Sequence, residues 1–220
     1  MIGSVRVVGA GGRVGSAVSA RLADRGIELR DTAADLVLLC VPDGAIAEVA
    51  RGIETGPWIA HVSGATPLAA LDPHVRRFGL HPLQTIVHGR GPEQLDDAWA
   101  AVTAETAEGR ELAEWLAATL GLRPFELREA DRPLYHAAAA ISSTFLVTLY
   151  RTAAAMFDEA GAPPEALVPL MRRTIENGFE LTGPLTRGDW ATIDAHVDAI
   201  RERAPGVEKL YRVLTEATTP

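Results

Sequence analysis

The sequence predicts an α/β domain on a trimmed, mostly parallel sheet, followed by an all-helical domain. Up to residue 128, short β-branched or apolar runs alternate with helical patterns, as in chains that wind helices around parallel strands. A glycine-rich turn separates the first run from the first helix, and beyond the charged, proline-marked segment 126–133 every periodic stretch reads as helix. The expected domains are therefore residues 1–128 and 129–220.

Taken in order, strands are expected at 5–8, 27–30, 36–41, 58–62, 78–80, 100–103 and 123–127. Helices are expected between several of them, at 14–24, 45–51 and 108–120. Thr66 and Pro67 read as a cap followed by a first helical residue, and Gly121 as a helix stop. In the second half, helices are expected at 131–160, 165–179, 189–203 and 207–217, with the break at Gly161-Ala162-Pro163-Pro164.

Composition narrows the function classes. Of 220 residues, 47% are hydrophobic and 23% charged, enough apolar side chains for a sizeable core. Twenty-one Lys and Arg against 29 Asp and Glu give a formal net charge of −8, which argues against nucleic acid as a partner. The single cysteine, Cys40, excludes an intrachain disulfide and a cysteine cluster, and a reducing, cytoplasmic compartment is expected. Residues 137–149 form the longest apolar stretch, but they carry Ser142, Ser143, Thr144 and Thr148, too short and too polar to span a bilayer. The start of the chain lacks a signal-peptide layout, so no membrane association is expected.

The chemistry begins at Gly9-Ala10-Gly11-Gly12-Arg13-Val14-Gly15. Glycines between a strand and a helix let the backbone approach a pyrophosphate, whose charge the free amides of the helix start then hold. Gly9, Gly11, Gly12, Arg13, Val14 and Gly15 are the candidate contacts, although the spacing carries one residue more than the usual fingerprint. A tight turn with no ligand is the alternative. The adenosine side is short of chain: only Asp31 to Asp35 separate Arg30 from Leu36, whereas a parallel crossover needs about a dozen residues. The usual third strand and its helix are missing. Asp31 could hold a ribose hydroxyl and Arg30 a 2′-phosphate, or both could be solvated.

Further motifs fall at expected strand ends and in the helical half. They are residues 35–43 ending Val41-Pro42-Asp43, His61-Val62-Ser63-Gly64, residues 79–84 around His81-Pro82, Leu134-Tyr135-His136-Ala137-Ala138, residues 173–177 ending at Asn177, and residues 181–189. Together they resemble, over nearly the whole chain, the Rossmann-like oxidoreductases whose C-terminal helical domain is of unknown function. Those are relatives of pyrroline-5-carboxylate reductase and of ketopantoate and 6-phosphogluconate-type dehydrogenases. The resemblance implies an NADP or NAD cofactor, with Val41, Pro42 and Asp43 skirting its ribose and Ser63, Gly64, His81 and Pro82 bordering the nicotinamide. It also implies a homodimer through the C-terminal helices, and substrate contacts at Asn177 and Thr182. A deazaflavin donor remains an alternative.

Hydride reduction needs a proton donor at the reacting atom. Arg132, His136 and Ser143 lie four and seven residues apart on the expected long helix, hence on one face. They offer a cationic carboxylate clamp, an acid and a hydroxyl, and His81 is the second acid. Thr144 stands where the closer relatives commonly carry asparagine, and Ala140 where the 6-phosphogluconate type carries lysine, so the lysine mechanism does not transfer. The histidines show no metal-ligand spacing, and no metal is expected. The expected activity is reduction of a small 2-oxo or imino acid, either ketopantoate-like or pyrroline-5-carboxylate-like. The alternative is a Rossmann-like dimer that binds a nucleotide or metabolite without turnover.

Overall fold

The structure, a computed structural model, describes residues 2–218. Its strands are β1 (Ser4–Val8), β2 (Glu28–Leu29), β3 (Leu36–Leu39), β4 (Trp58–His61), β5 (Arg77–Leu83), β6 (Trp99–Ala104) and β7 (Arg123–Glu126). They form one sheet in the order β2-β1-β3-β4-β5-β6-β7. Every neighbouring pair is parallel except β5 with β6. The helices are α1 (Arg13–Asp24), α2 (Ile46–Arg51), α3 (Ala107–Leu120), α4 (Arg132–Ala140), α5 (Leu146–Glu159), α6 (Leu167–Glu176), α7 (Trp190–Arg203) and α8 (Glu208–Thr218).

Both faces of the sheet are covered, which is why β3 is apolar at every position. Leu36 and Leu38 point into a core with Val18 and Leu22 of α1 and Leu116 of α3. Val37 and Leu39 point the other way, into a second core with Ile46 and Ala50 of α2 and with Leu68 and Leu71. Local signals set several ends. The Thr106 hydroxyl accepts from the Gly109 amide at the start of α3, and Gly121 ends that helix in a left-handed conformation.

The edge beside β1 is trimmed. β2 pairs only Glu28 with Ser4 and Leu29 with Val5, and the Arg30 amide then donates to the Val5 carbonyl. The strand thus stops three residues short of Val8, roughly 10 Å below the sheet's upper edge. From there the chain passes beneath β1, where the Asp35 carboxylate accepts from the Gly3 and Ser4 amides and the Ser4 hydroxyl. Thr32, Ala33 and Ala34 line a hollow with Gly52, Glu54 and Pro57 at this lower end. No helix intervenes between β2 and β3.

Two expectations need correction. The helix expected at 131–160 is interrupted by a π-helical turn, Ile141–Phe145, between α4 and α5. Thr66 does not cap the short 3-10 turn Leu68–Leu71, because Glu129 Oε1 accepts from the Leu68 amide at 2.7 Å in its place. The chain divides into two compact units, the first ending at Ile141 and the second beginning at Ser142. Thus α4 belongs with the sheet. The second unit holds α5 to α8 around Leu167, Ile193, Val197 and Ile200. Among the described residues no helix is long and apolar enough to cross a membrane.

Candidate functional site

The upper edge of the sheet carries the glycine turn. Gly9 has a φ of +90°, and a side chain there would strike the Cys40 carbonyl that ends β3. A Cβ at Gly15 would strike the Gly9 carbonyl, so α1 packs directly against the turn. Gly12 is the helix N-cap; its amide donates to the Gly9 carbonyl at 2.9 Å, and α1 has neither a side-chain cap nor an acidic residue in its first turn. The extra residue relative to the usual spacing lies in the exposed turn that precedes α1. Gly11 has open space where a side chain would project, and Gly11, Gly12 and Arg13 are exposed while Val14 packs against the core. The first amides of α1 therefore face outward, ready for an anion. Val41 lies beside Gly9, and Pro42 and Asp43 begin the exposed 3-10 turn that leads into α2.

A polar cluster occupies the face opposite the α1 and α3 core, where strand alternation directs His61, Gly79, His81 and Thr103. Gly79 pairs with His61 on one side and with Thr103 on the other. Its missing side chain makes room for the Arg132 guanidinium, whose Nη1 lies 3.2 Å from where a Cβ would stand. Arg132 is 1% exposed, donates to the Thr103 hydroxyl at 2.9 Å and to the Ser63 carbonyl, and keeps a buried Nε without a partner among the described residues. It does not form a free wall beside His136. Its two bonds fasten α4 to β6 and to the loop after β4. Burial pulls its pKa down, opposed chiefly by Glu129.

Ser63 is similarly occupied: its hydroxyl donates to Thr66 and accepts from the Ala65 and Thr66 amides, closing the turn that presents Gly64. Over Gly64 stand two imidazoles. A Cβ there would lie 2.5 Å from His136 Cδ2 and 2.9 Å from His81 Nε2, so only glycine lets both rings approach. The rings meet edge to face at 5.9 Å. His81 Nδ1 lies 2.7 Å from the Tyr135 hydroxyl, and Tyr135 in turn packs edgewise on Phe125.

Burial dominates the electrostatics of Tyr135, His81 and His61. Burial pushes the Tyr135 hydroxyl up to about 12, so the phenol keeps its proton beside His81 Nδ1. Burial, then His136 and Arg132, lower His81 to about 4, against an opposing pull from Asp43. His81 is thus neutral near pH 7, and a bond donated by Tyr135 to Nδ1 would leave its proton on Nε2. His61, brought to about 3 by burial, Arg132 and His81, accepts from the Ser63 amide at Nδ1 and holds a buried Nε2–H without a partner among the described residues. Sequence reading gave Tyr135 no role and found no cluster for His61. Period-two alternation from His61 and His81 was the signal, but it needed the β4–β5 pairing to be read. Among the described residues no His, Cys, Asp and Glu group could hold a metal ion.

The remaining candidates belong to the second unit. Ser143 and Thr144 lie in the π turn, and Asn177 is the C-cap of α6. Thr182 lines a hollow of about 300 Å³ with Leu185, Ile193, His196 and Tyr211. The His196–Tyr211 hydrogen bond, 2.7 Å long, is internal to that unit.

A parallel α/β sheet with a glycine turn and an uncapped helix at its upper edge defines a Rossmann-like domain. A family model described as a domain of unknown function, DUF2520, matches residues 98–218, more than half of the chain, and the chain belongs to that family. Its fold is similar to that of a candidate NADP oxidoreductase from Bacteroides fragilis, at 21% identity, a TM-score of 0.80 and coverage of 98% of this chain and 97% of that one. A protein from Thermotoga maritima is similar at 20% identity, a TM-score of 0.78 and coverage of 97% and 96%. Plasmodium falciparum pyrroline carboxylate reductase, solved with NADP bound, shares 9% identity and a TM-score of 0.60 over 100% of this chain and 98% of that one. No curated protein matches the sequence.

Proposed function

We propose that the protein is an NAD(P)-dependent reductase of a small 2-oxo or imino acid. One observation carries this reading: the glycine cradle before α1 and the His81–His136 pair over Gly64 occupy the same upper edge of one sheet, in the unit that ends at Ile141. The cradle suits a pyrophosphate, with open space at Gly11 and unpaired first-turn amides on α1. A reduced nicotinamide, when bound, supplies a hydride. The chain's own groups do the rest: residues 9–15 hold the phosphates, the Ser63–Thr66 turn presents Gly64, His81 Nε2–H polarises the reacting group and His136 passes it a proton.

The names of similar folds support this reading, since they include a candidate NADP oxidoreductase and a reductase solved with NADP. A second reading, binding without turnover, draws on the trimmed β2, which ends opposite Val5 and pairs no further than the Arg30 amide with the Val5 carbonyl. Titration calorimetry with NADPH and NADH separates the two from a protein without a cofactor. Saturable binding at millimolar cofactor or below is expected, and a flat titration with both would end the reductase reading. Dimerisation through the helical unit is proposed with it, because α5, α6 and the residues after it expose Val147, Leu170, Ile175 and Phe179.

A further inference from the structure

We propose that the group reduced here is a carbonyl and not an iminium, and that Tyr135 fixes this choice by holding His81 as a neutral Nε2–H donor above Gly64. The inference deepens the reductase reading and rests on it. The two substrate classes make opposite demands on their surroundings. A carbonyl gains negative charge on oxygen as hydride arrives, and a preformed hydrogen-bond donor stabilises that charge. An iminium is already cationic and is favoured by an acceptor or a carboxylate beside it.

The groups facing His81 supply donors and positive charge. From α4 come Arg132, Tyr135 and His136; from β4 comes His61; the turn after β3 contributes Asp43. Arg132 is a buried cation, and its Nε and His61 Nε2 are buried donors without acceptors among the described residues. Of the two acids, Glu129 accepts from the Leu68 amide, and Asp43, exposed on its turn, is the least of the influences on His81. No carboxylate is hydrogen-bonded to His61, His81 or His136 among the described residues. The Tyr135 bond carries the choice: the hydroxyl lies 2.7 Å from His81 Nδ1, and as its donor it consumes the one ring nitrogen that could accept from an iminium N–H and leaves Nε2–H at Gly64. A neutral imidazole can serve as such an electrophile.

The step balances. Hydride from a reduced nicotinamide dinucleotide forms the new C–H bond, the C=O π pair moves to oxygen, and the oxyanion rests on His81 Nε2–H and takes a proton from His136, which recovers it from water. The products are an alcohol and the oxidised dinucleotide. Tyr135 is a positioning residue here, since it acts through His81.

The test combines spectroscopy and kinetics on the full chain. Nitrogen-15 spectra should show His81 neutral and protonated at Nε2 at pH 7, with the tautomer shifting in Tyr135→Phe. NADPH oxidation should be at least about tenfold faster, as kcat/KM, with glyoxylate, pyruvate or butanal than with 1-pyrroline or 1-piperideine. In Tyr135→Phe the carbonyl kcat should fall about tenfold or more with NADPH affinity unchanged. A flat NADPH titration sinks the underlying reductase reading. With NADPH bound, the carbonyl assignment alone is overturned by imines reduced as fast as carbonyls, by no carbonyl consumed, by a charged or Nδ1-protonated His81 at pH 7, or by a tautomer indifferent to Tyr135→Phe.

Discussion

Gly79 and Arg132 are complementary: the side chain that β5 lacks at Gly79 is the volume that the Arg132 guanidinium fills, 3.2 Å from the position a Cβ would take. Through that gap Arg132 reaches the Thr103 hydroxyl and the Ser63 carbonyl. Removing the guanidinium strands both and leaves a cavity under α4. Arg132→Ala should therefore lower unfolding free energy by about 2–4 kcal/mol, read by urea denaturation. Gly79→Ala should cost about 1–3 kcal/mol by overpacking the same space. An Arg132→Ala loss below about 0.5 kcal/mol, the usual range for a surface site, would show that the guanidinium is not structural.

The same pair shows what the sequence could and could not convey. Arg132 and His136 are four residues apart on a helix, and spacing alone aligns them as one catalytic wall. What separates them is a pair of glycines far away in sequence: Gly79, 53 positions from Arg132, admits its guanidinium, and Gly64 admits the His136 ring. Such long-range vacancies leave no periodic trace. By contrast, the uninterrupted apolar run of β3 and the six-residue gap after Leu29 were legible, because burial on both faces and crossover length are local properties. The π turn at Ile141–Phe145 had no such signal, since its residues continue the helical pattern on both sides.

The glycine turn offers a clean separation of folding from binding. Gly15→Ala and Gly9→Ala would place a methyl group against backbone carbonyls, and both should destabilise the fold. Gly11→Ala meets nothing within 4 Å and should leave the thermal midpoint nearly unchanged. If Gly11 is where a pyrophosphate approaches, its alanine variant should weaken NADPH binding about tenfold, or about 1.4 kcal/mol by calorimetry. Unchanged affinity would move the phosphates elsewhere.

Arg30 supplies a control on the adenosine side. It bonds to Glu28 at 2.6 Å and follows a strand that ends opposite Val5, not Val8. Arg30→Ala should alter the ratio of NADPH to NADH affinity by less than about twofold, well under the 1.4 kcal/mol of a tenfold change. A selective loss of NADPH binding would mean that Arg30 reaches the 2′-phosphate.

The buried histidines set the acid limb of stability. His61 and His81 are held near 3 and 4 in the folded protein, below the ordinary value near 6.5. Between those values the unfolded chain binds more protons than the native one, so stability rises with pH. It should be fully present above about pH 6.5 and lost as pH falls through 5 toward 3, with a slope of at most about 1.4 kcal/mol per pH unit for each ring. Urea midpoints at pH 7, 5.5 and 4.5 should show the decline, and His61→Leu should flatten it. A pH-independent midpoint in the native protein would mean that neither ring is buried neutral.

The second unit, taken by itself, exposes large apolar side chains. Phe179 is 70% exposed and Leu170 61%, while the buried apolar residues there are Leu167, Ile193, Val197 and Ile200 among the described residues. Four helices sharing so few interior residues bury little area per residue, and the uncovered face is of the kind that marks an interface. A second copy is the simplest occupant, since a twofold contact lets the same apolar patch cover itself. Light scattering coupled to gel filtration should report twice the 23.4 kDa chain mass. Leu170→Asp, which sets a charge on the patch without touching the sheet, should shift the species to a monomer and lower its thermal midpoint. It should leave NADPH binding to the first unit intact, because residues 9–15 and His81 lie wholly within that unit. A wild-type monomer at micromolar concentration would leave the apolar face to another partner.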